Sequence, residues 1–378
     1  MSSQIAESIV NTLRAANISF FAMFPCEKVR RLYDLVGKQF RHVAVSREEE
    51  GVGMCAGAYL AGAKPAMLVQ SSGIGNMINA LCSLTMVYKL PLLILVSWRG
   101  VYKERIPAQI PLGRSLPKLL EALGIKYTAV RRKGDIAPIS KSVAETYSRS
   151  RIHALLLSPS IWEEEASASQ SVADTETHPD FKRSKPDGND TTYGALTRFE
   201  VLKTIAPYLE NKVVVCNLGI PSKELYSIKH QKSNFYMLGS MGLASSIGLG
   251  ISLFTSKQVV VIEGDGSLLM NLGALSTIAT ARPPNLTILA IDNGVHGSTG
   301  NQPTATSLCV DLEVAAKGLG IEKTSKAASR EQILSAIQSL DEGPNFVHIL
   351  ARPGNSNVSD IPLSPLDIKK NIMESLRR

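Results

Sequence analysis

Short apolar runs alternate with helical spacings of apolar positions along most of the chain. Ile5, Ile9, Val10, Leu13 and Ala16 share one face of a first helix. Apolar runs at 19–24, 42–45, 65–70, 90–96, 126–130 and 152–157 read as strands. Between them, helices are predicted around Val29, Leu32 and Val36, over a glycine- and alanine-rich stretch to Leu60, and over 78–86, 115–125 and 136–147. The alternation resumes after residue 190. A helix is predicted over 192–209, then strands at 213–217, 235–238, 259–262, 286–291 and 346–350, with helices at 312–319 and 331–340. The stretch from Ala351 reads as a tail punctuated by Pro353, Pro362 and Pro365. Strands alternating with helices predict an α/β fold with mainly parallel sheets flanked by helices.

Residues 163–190 break the pattern. They are Ser, Ala, Asp, Glu, Lys and Pro with almost nothing apolar, the composition of an exposed, mobile linker. Domains of 1–162 and 191–378 follow, and two units joined by such a tether need not each hold a whole active site.

At 378 residues, 44% hydrophobic and 20% charged, the chain can bury two ordinary cores. Its net charge of +8 suits steering of small anions. Aromatics at 6% do not support a stacking platform for nucleic acid, so no nucleic-acid partner is expected. Five cysteines without paired spacing predict reduced thiols and a cytoplasmic setting. The first residues lack the basic-then-apolar order of a leader. No apolar run is long enough to cross a membrane, so no membrane partner is expected.

The chemistry concentrates between 239 and 304. A GSMG turn (Gly239, Ser240, Met241, Gly242) precedes a small-residue helix, and the run 259–262 then ends in Gly264-Asp265-Gly266-Ser267. The run 286–291 ends in Asp292-Asn293-Gly294. In a parallel sheet both ends open on one crevice, where Asp265, Asn293 and a following carbonyl form an oxygen set suited to Mg²⁺. Read alone, Asp265 is more simply a helix cap and Asn293 a turn residue. His296, one of six histidines, is either a proton donor or a hydrogen-bonding residue without catalytic role. In the first half, Glu48, Glu49 and Glu50 begin a helix, where acids also favour the dipole. Residues 71–76, with Ser72, Gly73 and Asn76, read as a compact turn able to meet an anion. The loop after 90–96 holds Arg99, whose planar fork suits a carboxylate or sulfonate, or is simply exposed.

These motifs together resemble the thiamine diphosphate-dependent decarboxylases. The resemblance rests on REEEGVGMCAGAYLAG from Arg47, QSSGIGN from Gln70, SWRG from Ser97, NLGIPSKEL from Asn217, GSMGLASSIGLG from Gly239 and STGNQPT from Ser298. It covers nearly the whole chain apart from the linker and tail. Within the family the chain is most similar to the decarboxylases of 3-sulfopyruvate, with two usual subunits fused, and it is also close to those of phosphonopyruvate. The resemblance implies a pyrimidine-binding first domain and a diphosphate-binding second one. Mg²⁺ would be held by Asp265, Asn293 and the carbonyl of Val295, with Asp292 in place of the family's first Asn. Tyr59, at the family's spacing, singles out Glu49 as the acid beside the cofactor pyrimidine, leaving Glu48 and Glu50 as solvated or supporting members. Met241 matches the apolar wedge beneath the cofactor. The implied reaction is decarboxylation of a small anionic 2-keto acid, 3-sulfopyruvate, in coenzyme M biosynthesis. Arg99 would bind its distal anion, and the sites would be paired in a homodimer or larger assembly. His296 stands where the sulfopyruvate group often has an aromatic and instead resembles the phosphonopyruvate group, so phosphonopyruvate is the alternative substrate. A cofactor-sharing transferase or ligase is the further alternative.

Overall fold

The computed structural model describes residues 4–163, 194–298 and 300–377. All but the first residue of the expected linker therefore lies outside the described residues. The first half contains α1 (Gln4–Ala15), β1 (Phe20–Met23), α2 (Arg30–Gln39), β2 (Arg41–Ala44), α3 (Glu48–Leu60), β3 (Pro65–Gln70) and α4 (Ser71–Ala80). It continues with β4 (Leu92–Ser97), α5 (Ile110–Ala122), β5 (Lys126–Val130), α6 (Ile139–Ser148), β6 (Ile152–Leu157) and α7 (Ser160–Glu163). The second half holds α8 (Arg198–Ile205), β7 (Val213–Cys216), α9 (Ile220–Ile228), β8 (Asn234–Tyr236), α10 (Ala244–Ser252), β9 (Val259–Gly264), α11 (Asp265–Met270) and α12 (Ala274–Ala281). Then come β10 (Leu286–Asp292), β11 (Val295–His296), β12 (Gln302–Pro303), α13 (Leu312–Gly318), β13 (Lys323–Ala327), α14 (Arg330–Gln338), β14 (Asn345–Leu350) and α15 (Pro365–Leu376).

Both six-stranded sheets are wholly parallel, in the orders β2-β1-β3-β4-β6-β5 and β13-β14-β10-β9-β7-β8. Read from its other edge, the second order repeats the first. The same topology thus occurs twice, and α3 and α10 occupy equivalent places, each between the second and third strand of its unit.

These two helices pack on one another. Both are rich in glycine, so their backbones approach where any side chain would intrude. A Cβ on Gly57 would lie 2.1 Å from the carbonyl oxygen of Ile247, and one on Gly250 would lie 2.1 Å from that of Met54. Apolar side chains of both halves accordingly merge into one core. A second core lies on the outer face of the first sheet, under α1, α2 and α6.

Several expectations need correction. Residues 71–76 do not form a turn: the chain passes from β3 directly into α4. The helix foreseen over 192–209 is shorter, running from Arg198 to Ile205 behind a Thr197–Glu200 capping box. Strand β13 was not foreseen, because KTSKA is a polar edge strand with little apolar alternation. The proline-spaced tail ends in α15, with Ser364 as cap and Pro365 in the first turn, where its missing N–H costs nothing. Lys369 of α15 donates to the carbonyl of Lys89 at 2.7 Å and lies over the ring of Tyr59, tying the C-terminal segment to the first half.

Substituting Gly57→Ala should destabilise the fold by about 1–3 kcal/mol through overpacking against backbone. Gly318→Ala, in α13 with open space around its Cα, is the control and should leave the urea unfolding midpoint unchanged or slightly raised.

Candidate functional site

Neighbouring strands β9 and β10 pair in parallel with Gly264 opposite Ile291. Asp265 therefore emerges beside Asp292 and Asn293 at the carboxyl edge of the second sheet, the position that α/β folds use for ligands. Gly294, at φ +69°, turns the chain into the hairpin of β11 and β12, which returns Thr304 and Thr306 to the same point. Thr304 and Thr306 both donate to Asp265 Oδ2, and Thr306 lies 2.8 Å from Asp292 Oδ1. Gly294 N–H donates to Asp292 Oδ1 at 3.0 Å and closes the turn that carries Asn293.

A cleft opens over these groups, lined among others by Met241, Gly264, Asp265, Asn293, Val295 and His296. Asp265 is buried, and desolvation, followed by the nearby Asp292, raises its carboxyl above the ordinary range. The buried Asn293 Nδ2 has no hydrogen-bond partner among the described residues. The Val295 carbonyl accepts from Gly297 N–H at 3.1 Å and retains a lone pair. A carboxylate needing positive charge, an amide N–H lacking an acceptor and an available carbonyl fit a cation bridged to a diphosphate. Among the described residues no group of three His, Cys, Asp or Glu is placed to hold a metal.

Around the cleft, several groups serve the architecture. Gly242 N–H donates to Ser267 Oγ at 3.0 Å, and Ser267 Oγ donates to Asn217 Oδ1 at 3.2 Å, tying the GSMG turn to two strand ends. Gly266 has no room for a side chain, because a Cβ would lie 2.4 Å from His296 Cε1. Arg198 lines the cleft but is locked bidentately to the buried Glu224 at 2.7 and 3.2 Å and reaches Asn355 at 3.0 Å. Asn355 in turn donates to the Gly297 carbonyl and steadies the loop after β11.

The first half clamps this turn from outside. Ser240, in the left-handed region at φ +58°, makes a 2.6 Å hydroxyl contact with Ser83. Buried Tyr88 donates to the Tyr236 carbonyl at 2.7 Å and accepts from Leu238 N–H at 3.0 Å. The backbone that presents Gly239, Ser240 and Met241 is thereby fixed by the other half of the chain.

The remaining expected residues gather at the carboxyl edge of the first sheet and do not line the cleft. Glu49 is half-buried, and burial lifts its carboxyl above the usual range, partly offset by Arg47 at 3.8 Å. Glu48 and Glu50 are not solvated. Glu48 is buried against Gly73 and accepts from Asn76 Nδ2 at 2.9 Å, so Asn76 and Gly73 pack on an acid. Glu50 is fully buried and accepts from Ser46 N and Oγ at 3.0 and 2.9 Å. Ser72 is half-buried on α4. Arg99 does not present an open fork. Its Nε and second guanidinium nitrogen meet Glu104 at 2.6 and 2.9 Å, and that pair holds the Glu104 carboxyl down at about 2.

Sequence reasoning placed Thr304 only as part of a motif loop and passed over Thr306 and His348. His348 is a lone polar residue in the otherwise apolar interior of β14, and that interruption was the available signal. Its Nε2 lies 2.9 Å from Asp292 Oδ2, and its Nδ1 faces Asp311 at 3.5 Å. Burial opposes its charge, but the two carboxylates outweigh burial and raise its pKa.

Comparison with known proteins matches both halves of the chain. Residues 3–138 match the model of the thiamine pyrophosphate enzyme N-terminal TPP binding domain, and residues 223–349 match that of the C-terminal TPP binding domain. The chain is 42% identical over 376 residues to a sulfopyruvate decarboxylase of Methanosarcina acetivorans, covering 98% of this chain and 97% of that one. It is 31% identical over 360 residues to a phosphonopyruvate decarboxylase of Streptomyces viridochromogenes, covering 93% and 89%. Among solved structures, benzoylformate decarboxylase from Polynucleobacter necessarius shares the fold with a TM-score of 0.68 at 12% identity, covering 94% of this chain and 99% of that one.

Burial raises the Glu50 carboxyl, so its protonated form is favoured in the folded state. Its contribution to stability is full below the unfolded carboxyl value and is lost as pH rises through the folded one. Glu50→Gln should flatten that decline, read as urea midpoints between about pH 4 and pH 8.

Proposed function

The chain belongs to the thiamine diphosphate-dependent 2-keto acid decarboxylases, and from that membership we propose that it converts 3-sulfopyruvate to sulfoacetaldehyde and CO₂, a step of coenzyme M biosynthesis. It is a carbon–carbon lyase whose cofactors are thiamine diphosphate and Mg²⁺. The substrate reading is carried by the 42% identity spanning 98% of the chain to a sulfopyruvate decarboxylase, against 31% to a phosphonopyruvate decarboxylase. His296 favours phosphonopyruvate as the second reading.

When bound, the cofactor supplies an electron sink for the bond that breaks as CO₂ leaves. The protein supplies charge and position. Asp265, Asn293 and the Val295 carbonyl would hold Mg²⁺, and Met241 gives the cleft an apolar support. Glu49, its proton affinity raised by burial, would hold a proton toward the cofactor pyrimidine. His296, on the cleft wall, orients substrate or returns a proton to it. Arg99, closed by Glu104, shapes the loop after β4 and meets a substrate anion only by exchanging that partner.

Because Glu49 stands outside the cleft that Asp265 lines, the acid serving each cleft is supplied by a second copy, which supports a homodimer with paired sites between first and second domains. Residues 1–162 form the pyrimidine-binding domain and 191–378 the diphosphate-binding domain. Among the described residues no helix is long and apolar enough to cross a membrane, and all five cysteines are unpaired, which supports a cytoplasmic setting.

Decarboxylation assays on sulfopyruvate, phosphonopyruvate and pyruvate should give the highest kcat/KM on the first; equal or better turnover of phosphonopyruvate reverses the choice. Glu49→Gln should lower kcat by about 10²-fold or more, and near-normal turnover would remove Glu49 from its role.

A further inference from the structure

Two buried carboxylates, Asp265 and Asp292, stand at neighbouring strand ends and share the Thr306 hydroxyl, at 3.2 and 2.8 Å. Of the two, only Asp292 has a basic side chain against it among the described residues, His348 at 2.9 Å. His348 does not line the cleft. It is 2% exposed, with Asp311 on its far side, and Asp311 is itself paired with Lys326. The chain of groups thus runs from the cleft floor to the surface as Asp265, Thr306, Asp292, His348, Asp311 and Lys326. Asp292 also closes the turn of Asn293 through Gly294 N–H, and its own carbonyl accepts from Ala351 N–H at 2.7 Å.

We infer that His348 is a positioning residue for the cation site: by engaging Asp292 it keeps that carboxylate on the turn and away from the Mg²⁺ that Asp265 and Asn293 hold. Without this partner, a buried and unpaired carboxylate one residue from Asn293 would be driven to find another cation. Swinging toward the metal would undo its bond to Gly294 and carry Asn293 out of place. A neutral residue at 292 needs no such restraint, so the requirement for His348 belongs to the charge of Asp292 and not to the shape of the histidine. This inference rests on the reading of the cleft as the site of Mg²⁺ and thiamine diphosphate.

The test is a double-mutant cycle on the full chain, with thiamine diphosphate binding measured by calorimetry in MgCl₂ and thermal unfolding of the cofactor-free protein followed in parallel. His348→Gln should weaken Mg²⁺-dependent cofactor binding by about 10-fold or more and lower the unfolding temperature. Asp292→Asn alone should weaken binding only slightly, and D292N/H348Q should restore both readouts to near those of the parent. A double variant no better than H348Q, or an H348Q that binds like the parent, overturns the inference. Should H348Q fail to fold, a double variant that folds and binds supports it, and one that fails in the same way overturns it. A parent chain that binds no thiamine diphosphate would instead reject the reading of the cleft on which the inference rests.

Discussion

The contact between α3 and α10 sets the geometry of everything else. Gly57 and Gly250 each face a main-chain carbonyl of the opposite helix at a distance that excludes a methyl group, so the crossing can form only with bare backbone at both points. Dispersion over such a close interface is large because many atoms meet at contact distance. It also fixes the two halves relative to one another. Ser83 and Tyr88 can then reach the strand end and turn of the other half, and Glu50 can be buried.

From this follows a division of labour between the two carboxyl edges. The second sheet gathers oxygen donors and hydroxyls around one acid whose proton affinity is raised by burial, an arrangement that awaits positive charge. The first sheet buries its acids differently. Glu48 and Glu50 are buried with one oxygen each held by Asn76 and by Ser46, which leaves Glu49 between them as the less enclosed member. Three adjacent glutamates thus have three environments, because successive helical positions point about 100° apart.

Where hydrophobic pattern and backbone chemistry agreed, the strands were legible to the residue, as at Pro65–Gln70, Lys126–Val130 and Ile152–Leu157. Edge strand β13 was not, since little apolar alternation marks it, and α15 hid behind a run of spaced prolines whose last, Pro365, in fact begins it. In the site, the adjacency of Asp265 and Asn293 was readable because each ends an apolar run in a parallel sheet. The closure of Arg99 by Glu104 was not readable. Glu104 folds back five residues onto Arg99 and also accepts from Gly100 N–H at 3.2 Å, around a Gly100 in the left-handed region at φ +83°, a turn that hydrophobic spacing does not mark. The partnership of His348 with Asp292 is likewise made across the sheet, beyond the reach of spacing.

The hydroxyl of Tyr88 meets main-chain atoms, the carbonyl at 236 and the N–H at 238, while its ring packs on Phe235 with centroids 4.9 Å apart. A hydroxyl that reads backbone is indifferent to the side chains it passes. Leu238, 44% exposed, is therefore free to drift through evolution, whereas position 88 must keep a phenol. Substitution should therefore accumulate unevenly along this seam, relaxed at the exposed Leu238 and resisted at position 88 and at the buried Phe235 and Tyr236.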